Sequence, residues 1–435
     1  MKVVGLITEY NPFHNGHKYH IQQARQITGA DYVIAVMSGN FVQRGAPAMI
    51  DKYSRTRMAL NNGADLVIEL PVCYATGSAE YFAHGAVSIL DKLGVVNTIC
   101  FGSECGDISL LTMAARFLTD APDSFEYQLQ DHLRTGLTYP VARRKALEQS
   151  LPEMDAAQKH RLAGLLAEPN NILGIEYIKA LLNFSSSITP VTIQRISAHY
   201  HEKELSEAKY QQDSNLQLTN PVISSATAIR HAIHTQVRQA SGAFSDASLS
   251  VPKDVADFLH ENYHKTYPIT EEDFAAIIKY KLRMEDSKSL ATYLDITPDL
   301  ADRINNHRDF NKSIHSLNQD IKAKNLTLTR INRVLIHILL NIKTTAVRDY
   351  MAHGYAPYAR ILGIRKESSP LLRIIEQNGR IPTITKVSKA DLLLDETGMQ
   401  MLSEDIFASD IYNQAVYDKY GTEIPNEYKH GICLL

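Results

Sequence analysis

The ten residues Thr8-Glu9-Tyr10-Asn11-Pro12-Phe13-His14-Asn15-Gly16-His17 decide how this chain is read. They follow the apolar run of residues 3–7 and lead into an amphipathic stretch over 17–28, which predicts strand, turn and helix in that order. Pro12 stiffens the turn, and Gly16 has no side chain to block the close approach of a ligand. His14 and His17 are one helical turn apart, so both imidazoles can face the same spot at the helix N-terminus. That end of a helix offers unpaired N–H groups and a positive dipole to an anion. Two imidazoles there can donate to phosphate oxygens and stabilise the charge that grows when a phosphorus is attacked. A pair of surface histidines on a capped helix is the bland alternative, which the strand–turn–helix setting disfavours. A zinc pair is another, weakened by the lack of a suitable third ligand nearby.

Outward from this segment, VVGLITEY (3–10), DYVIAVMSG (31–39), ADLVIELP (64–71), VNTICFGSE (96–104) and VTIQRIS (191–197) are short, β-branched runs. Helix-like stretches at 17–28, 52–62 and 78–93 lie between them. This βαβ rhythm predicts an α/β fold with a Rossmann-like, doubly wound parallel sheet, which binds ligands at the carboxyl ends of its strands. Residues 105–185 read as mostly helical. The Ser-, Ala- and Gly-rich stretch 237–253 reads as a linker. Beyond it, 254–350 has helical spacing without a strand, and 354–435 mixes helix with short apolar pieces such as RIPTITKV. Two domains are therefore expected: a catalytic one over 1–240 and a mainly helical one over 250–435.

The chain has 435 residues, 44% hydrophobic and 21% charged, in the range of an ordinary globular protein. It has no apolar run of eighteen residues, so no membrane span is expected, and the first apolar run breaks too early, at Thr8-Glu9, for a signal peptide. The four cysteines (Cys73, Cys100, Cys105, Cys433) form no CxxC and no zinc spacing. Reduced thiols in a cytoplasmic protein are the expectation. The net charge of −3 does not announce a nucleic-acid binder, but its distribution is uneven. Residues 301–390 hold sixteen basic against six acidic residues, an excess of ten. Such a block suits either a phosphate-backbone surface or a helical domain that exposes its lysines. Candidate RNA contacts are Lys322, Lys324, Arg330, Arg333, Lys343, Arg360, Arg365 and Lys366, with Tyr355 and Tyr358 available for base stacking.

His14-Asn15-Gly16-His17 resembles the HxGH signature of nucleotidyltransferases and class I aminoacyl-tRNA synthetases. A longer ordered set is narrower: ITEYNPFHNGHKYH, SGNFVQRGAPAMIDKYSR, NNGADLVIELPV, GSAEYFAHGAVSIL, FGSECGD, PNNILGIEYIKAL and ISSATAIR, spread over residues 1–235. Together they resemble the tRNA(Met) cytidine acetate ligase family. The resemblance implies a sheet of the HxGH nucleotidyltransferase type and an enzyme, a ligase, that uses ATP to turn acetate into acetyl-adenylate with release of pyrophosphate. It further implies transfer of the acetyl group to N4 of the wobble cytidine of elongator tRNA(Met). ATP would lie across Ile7, Thr8, Glu9, Tyr10, Asn11, Pro12, Phe13, His14, Asn15, Gly16, His17, Lys18, Tyr19 and His20, with Gly102, Asn170 and Arg195. Mg2+ would travel with the phosphates, and no protein metal site is expected.

Each of these positions also has a reading of its own. Gly102 ends a strand where the backbone must pass close to a base or ribose, or it is a plain turn glycine. One of Asn170 and Asn171 can cap a helix while the other faces the nucleotide. Arg195 can pair with phosphate through its planar fork, or with a surface carboxylate. Ser224–Arg230 resembles the nucleotidyltransferase ISSTxxR motif, with Ala226 in place of the second serine. Ser225, Thr227 and Arg230 suit the leaving phosphates, and a simple Ser/Thr N-cap stays open. Asn40, Gln43 and Arg44 suit substrate orientation, whereas Glu104 and Asp107 read better as helix caps than as magnesium-facing groups. The competing functions are an adenylyltransferase of cofactor metabolism and an inactive RNA-binding scaffold.

Overall fold

The computed structural model describes residues 1–150, 156–195, 224–236, 250–307 and 312–435. The expected linker, apart from its last few residues, lies outside them. In chain order the strands are β1 (Val3–Thr8), β2 (Tyr32–Ser38), β3 (Phe41–Val42), β4 (Ala46–Pro47), β5 (Leu66–Leu70), β6 (Thr98–Ser103), β7 (Thr189–Gln194), β8 (Ala359–Ile364), β9 (Thr383–Ile384) and β10 (Cys433–Leu434). The main sheet runs β10-β8-β5-β2-β1-β6-β7, with β9 also paired to β8, while β3 and β4 form a small hairpin. The five strands from β5 to β7 are parallel, as the βαβ rhythm predicts. Strand order reverses at β1, which has β2 on one side and β6 on the other, and this opens a crevice above their carboxyl ends.

Both faces of the sheet are covered, which explains why its strands are continuous apolar runs. Ile34 and Val36 of β2 face one core, and Val33, Ala35 and Met37 face the other. The helix α1 (Asn15–Thr28) crosses from β1 to β2 and ends at Gly29, whose φ of 61° needs no Cβ to be accommodated. In α2 (Lys52–Asn61) the Asp51 carboxylate accepts from the amides of Tyr53 (3.0 Å) and Ser54 (2.9 Å). Later helices used below are α3 (Ile108–Thr119), α4 (Pro169–Asn183), α5 (Ala226–Gln236), α6 (Leu328–Leu339) and α7 (Glu396–Tyr420).

The C-terminal part is largely helical but contributes to the sheet itself. β8 pairs antiparallel with β5 and carries β10 beside it, so residues beyond 350 extend the N-terminal sheet rather than forming a helical unit apart from it. Arg360, expected at an RNA surface, lies in β8 and is 2% exposed. Its Nη2 donates to Glu427 Oε2 at 3.2 Å. Lys52 Nζ bridges Glu69 Oε1 (2.7 Å) and Glu427 Oε1 (3.0 Å), so α2, β5, β8 and the C-terminal segment share one buried ion network. Burial alone would raise the Glu427 pKa, but Lys52 and Arg360 hold it at about 2. Tyr358 is buried too, its hydroxyl donating to Asp405 at 2.6 Å, and Tyr355 packs against His84 and Phe184. The Tyr358 ring is not available to a base.

Candidate active site

A cleft of about 450 Å³ opens above the carboxyl ends of β1, β6 and β7, within the usual range for small-molecule sites. His14 is the N-cap residue of α1, in extended backbone (φ −143°, ψ 172°). Its backbone N–H donates to Nδ1 of His17 at 3.3 Å. With Nδ1 accepting, a neutral His17 carries its proton on Nε2, the outer nitrogen. The two rings stack at 3.6 Å between centroids, 23° apart in plane. Tyr10 holds them from behind, its ring 4.9 Å from that of His17, and its φ of 49° is the left-handed conformation that tight functional turns tolerate.

Electrostatics complete the picture of an anion site. Burial, then the charges of Arg195 and Arg230, pull the His14 pKa down to about 3. Burial and Arg195 bring His20 to about 4, and burial together with His14, His20 and Arg195 drives His17 well down. All three are neutral donors at pH 7. Burial also lowers Arg44, Arg195 and Arg230, whose guanidiniums nonetheless stay charged. Nδ1 of His14 and Nε2 of His20 are buried with no hydrogen-bond partner among the described residues. Orphaned imidazole nitrogens among three guanidiniums suit a polyphosphate.

Of the residues expected at ATP, Ile7, Thr8, Glu9, Asn11, His14, Gly16, His17, Tyr19, His20, Gly102, Asn170, Arg195, Ser225, Thr227 and Arg230 all line this cleft. Tyr10, Pro12, Phe13, Asn15 and Lys18 do not. Tyr10 and Phe13 are core residues, Pro12 is buried in the turn, and the Asn15 amide is tied to the Ser250 carbonyl at 2.9 Å. Lys18 lies among the half-buried residues of α1, outside the lining. Neither Asn170 nor Asn171 caps the helix they begin; one holds the turn after β6 and the other lines the cleft. Asn171 Oδ1 accepts from the amides of Glu104 (3.0 Å) and Cys105 (3.1 Å) and is buried, leaving Asn170 at the cleft. Glu104 caps α4 through the amides of Asn170 (3.2 Å) and Asn171 (2.8 Å), and Asp107 caps α3. Ser225 Oγ accepts from the Ala228 amide at 3.0 Å, so it caps α5 while lining the cleft. Arg230 donates to the Asn11 carbonyl at 2.7 Å and to Thr227 Oγ1 at 3.2 Å.

The cleft continues past the histidines to Gln43 and Arg44, which sit in the β3–β4 hairpin, and to Ile269, Thr270, Glu271 and Asn332 from the second half of the chain. Asn40 is buried behind the hairpin, with its Oδ1 accepting from the Lys52 amide at 2.8 Å. Sequence reading missed Glu271 and Asn332 because no local motif marks them. It also missed Arg55, fully buried in α2, which binds the carbonyls of Ile50 (2.9 Å), Ser38 (3.0 Å) and Glu9 (2.5 Å) and also that of Gly39. One guanidinium thus fixes the ends of β1 and β2 together.

Among the basic residues, Lys322, Lys324 and Lys366 are exposed. Arg330 and Arg333 both bond Asp295, through its carbonyl (3.1 Å) and its carboxylate (3.1 Å), and Arg365 pairs with Glu367. Lys343 lies over the Tyr293 ring at 3.1 Å. Among the described residues, no group of three His, Cys, Asp or Glu could hold a metal, and no helix is long and apolar enough to cross a membrane.

A mostly parallel sheet with a switch-point crevice and two stacked histidines at a helix N-terminus fits a nucleotidyltransferase, and the chain belongs to the HIGH Nucleotidyl Transferase family, whose model matches residues 1–426. Its relatives within that class are more specific. The tRNA(Met) cytidine acetate ligase of Acetivibrio thermocellus is 39% identical, with 100% of each chain covered. That of Halothermothrix orenii is 40% identical over 95% of this chain and 94% of its own. Among solved structures, Thermotoga maritima TmcAL bound with alpha-thio ATP superposes with a TM-score of 0.87 at 30% identity, each chain fully covered. By these measures the chain is a member of the tRNA(Met) cytidine acetate ligase family.

Proposed function

We propose that this chain is an ATP-dependent ligase that activates acetate as acetyl-adenylate and acetylates a cytidine of tRNA(Met), at N4 of the wobble base of the elongator species. The observation that carries this reading is the pair of stacked, neutral imidazoles of His14 and His17, set at a helix N-terminus among Arg44, Arg195 and Arg230. In the first step an acetate oxygen attacks the α-phosphorus of ATP, and the bond to pyrophosphate breaks. Nε2–H of His17 and the amides of α1 stabilise the charge on the α-phosphate, and Ser225, Thr227 and Arg230 receive the departing pyrophosphate. In the second step the cytidine amine attacks the acetyl carbonyl and AMP leaves. Positioning and charge stabilisation supply the catalysis, so no covalent nucleophile is required.

Among the described residues the lining carboxylates are Glu9 and Glu271, and neither belongs to a metal-ligand group. Mg2+ would therefore be held mainly by the triphosphate, where it neutralises the leaving group. We assign ATP binding mainly to residues 1–240 and tRNA binding to 250–435, with exposed Lys322, Lys324 and Lys366 as phosphate contacts in a cytoplasmic enzyme.

Pyrophosphate exchange into ATP tests the first step. It should depend on acetate, and the complete reaction should place N4-acetylcytidine in tRNA(Met) carrying the wobble cytidine, as read by mass spectrometry of its nucleosides. Exchange that ignores acetate but responds to a phosphorylated small molecule would make the protein an adenylyltransferase instead.

A further inference from the structure

Resting on the acetyl-transfer reading above, we infer that Glu9 is a catalytic residue of the second step, the carboxylate that takes the proton lost by the cytidine amine. The demand comes from the chemistry. A cytosine amine is a weak nucleophile that becomes positively charged as its bond to carbon forms, and AMP leaves as an anion that needs no proton. The step therefore calls for a base beside the acyl carbon, not for an acid.

Glu9 is built for that place. It directly follows β1, on the same strand end that leads into His14, and it lines the cleft. Its backbone carbonyl is held by the buried Arg55 at 2.5 Å, and its Oε1 accepts from the Gln43 amide at 2.9 Å. Its Oε2 has no hydrogen bond among the described residues. A carboxylate whose only task was to anchor the hairpin would not need to reach the cleft. Its charge acts on both Arg230 of α5 and Arg44 of the hairpin, so the carboxylate lies within reach of both guanidiniums. His14 and His17 are committed to the phosphate, and His20 lies six residues beyond His14, about 9 Å along α1 by helix rise. Glu271, the other lining carboxylate among the described residues, begins a single 3-10 turn and also acts on Arg230, but not on Arg44.

Written out, the amine lone pair attacks the acetyl carbon and the carbonyl oxygen takes the displaced pair. One N–H proton passes to Glu9 Oε2. The carbonyl re-forms, the bond to the AMP oxygen breaks, and AMP carries off its electron pair. Glu9 then releases the proton to solvent.

The test compares acetyl transfer to tRNA(Met) with acetate-dependent pyrophosphate exchange in the same full-length enzyme, wild type against Glu9→Gln. Gln keeps an acceptor for the Gln43 amide but cannot take a proton. The ratio of transfer to exchange should fall about 100-fold or more, with acetyl-adenylate accumulating. A ratio within threefold of wild type, or an equal loss of both activities, would overturn the assignment. A 100-fold fall in Glu271→Gln with none in Glu9→Gln would move the role to Glu271. Wild-type enzyme that shows no acetate-dependent exchange would instead defeat the underlying reading of the reaction, a separate outcome.

Discussion

The backbone N–H of His14 donates to Nδ1 of His17, and the two rings stack 3.6 Å apart, so one residue sets both the tautomer and the tilt of the other. The arrangement turns a sequence spacing into a directed donor. If Nε2–H of His17 stabilises the attacked phosphate, its removal should cost what the loss of one oxyanion donor costs, about 10²–10³ in rate. His17→Ala is expected to lose acetate-dependent exchange by that factor or more. Circular dichroism would confirm that the fold is retained. A variant exchanging at the wild-type rate would remove the two histidines from the mechanism.

ATP binding should take up a proton. In the free protein, burial with Arg195 and Arg230 holds His14 at about 3, so it is neutral across pH 5–8. A bound triphosphate brings negative charge that favours the imidazolium and raises that pKa. The bound state then holds more protons than the free state, and affinity should increase as pH falls from 7 towards 5. Calorimetry with a non-hydrolysable ATP analogue, in buffers of different ionisation enthalpy, reads the uptake directly. The nucleotide's own titration is common to all variants, so the difference between wild type and His14→Gln isolates the histidine. Equal uptake in the two proteins would count against this account.

Arginine and lysine in the basic block should behave in opposite ways. Arg360 is paired with Glu427 beneath the sheet edge, and removing one member of a buried pair costs about 3–5 kcal/mol. Arg360→Ala is expected to lower the denaturant midpoint strongly. Exposed Lys322 and Lys324, changed to Glu, should alter stability by about 0.5 kcal/mol or less. They should instead weaken tRNA binding and flatten its salt dependence. Filter binding at several salt concentrations, beside urea titrations, separates the two. The opposite pattern would put Arg360 on the RNA.

These contrasts mark how far the sequence carries. The parallel sheet was legible because its strands, buried on both faces, read as unbroken apolar runs between amphipathic helices, and the histidine pair because its spacing matches one helical turn. Arg360 was not. A charged residue in a short run such as YARILGI looks exposed until its distant partners Glu427 and Lys52 are known. Asn170 and Asn171 could not be told apart for a similar reason. Their roles depend on Glu104, more than sixty residues earlier, which caps the helix that carries both. Glu271 and Asn332 reach the cleft only through tertiary packing, and nothing adjacent in the chain announces them.

That packing turns on Gly45, in the hairpin between β3 and β4. Its φ is 72°, and a Cβ there would come within 2.1 Å of the Arg333 backbone nitrogen in α6. Both conditions call for glycine, since a side chain would be strained in φ and would collide with backbone that has no freedom to yield. The contact seats α6, with Asn332, against the hairpin that carries Gln43 and Arg44. Gly45→Val should therefore lower unfolding free energy by more than about 2 kcal/mol. It should also lower both exchange and transfer, because the hairpin carries Arg44, one of the three guanidiniums of the anion site. Urea midpoints and the two activities, measured on one preparation, check both parts. A Gly45→Val protein as stable as wild type would mean that α6 does not rest on the hairpin, and the cleft would then lose the wall that Asn332 provides.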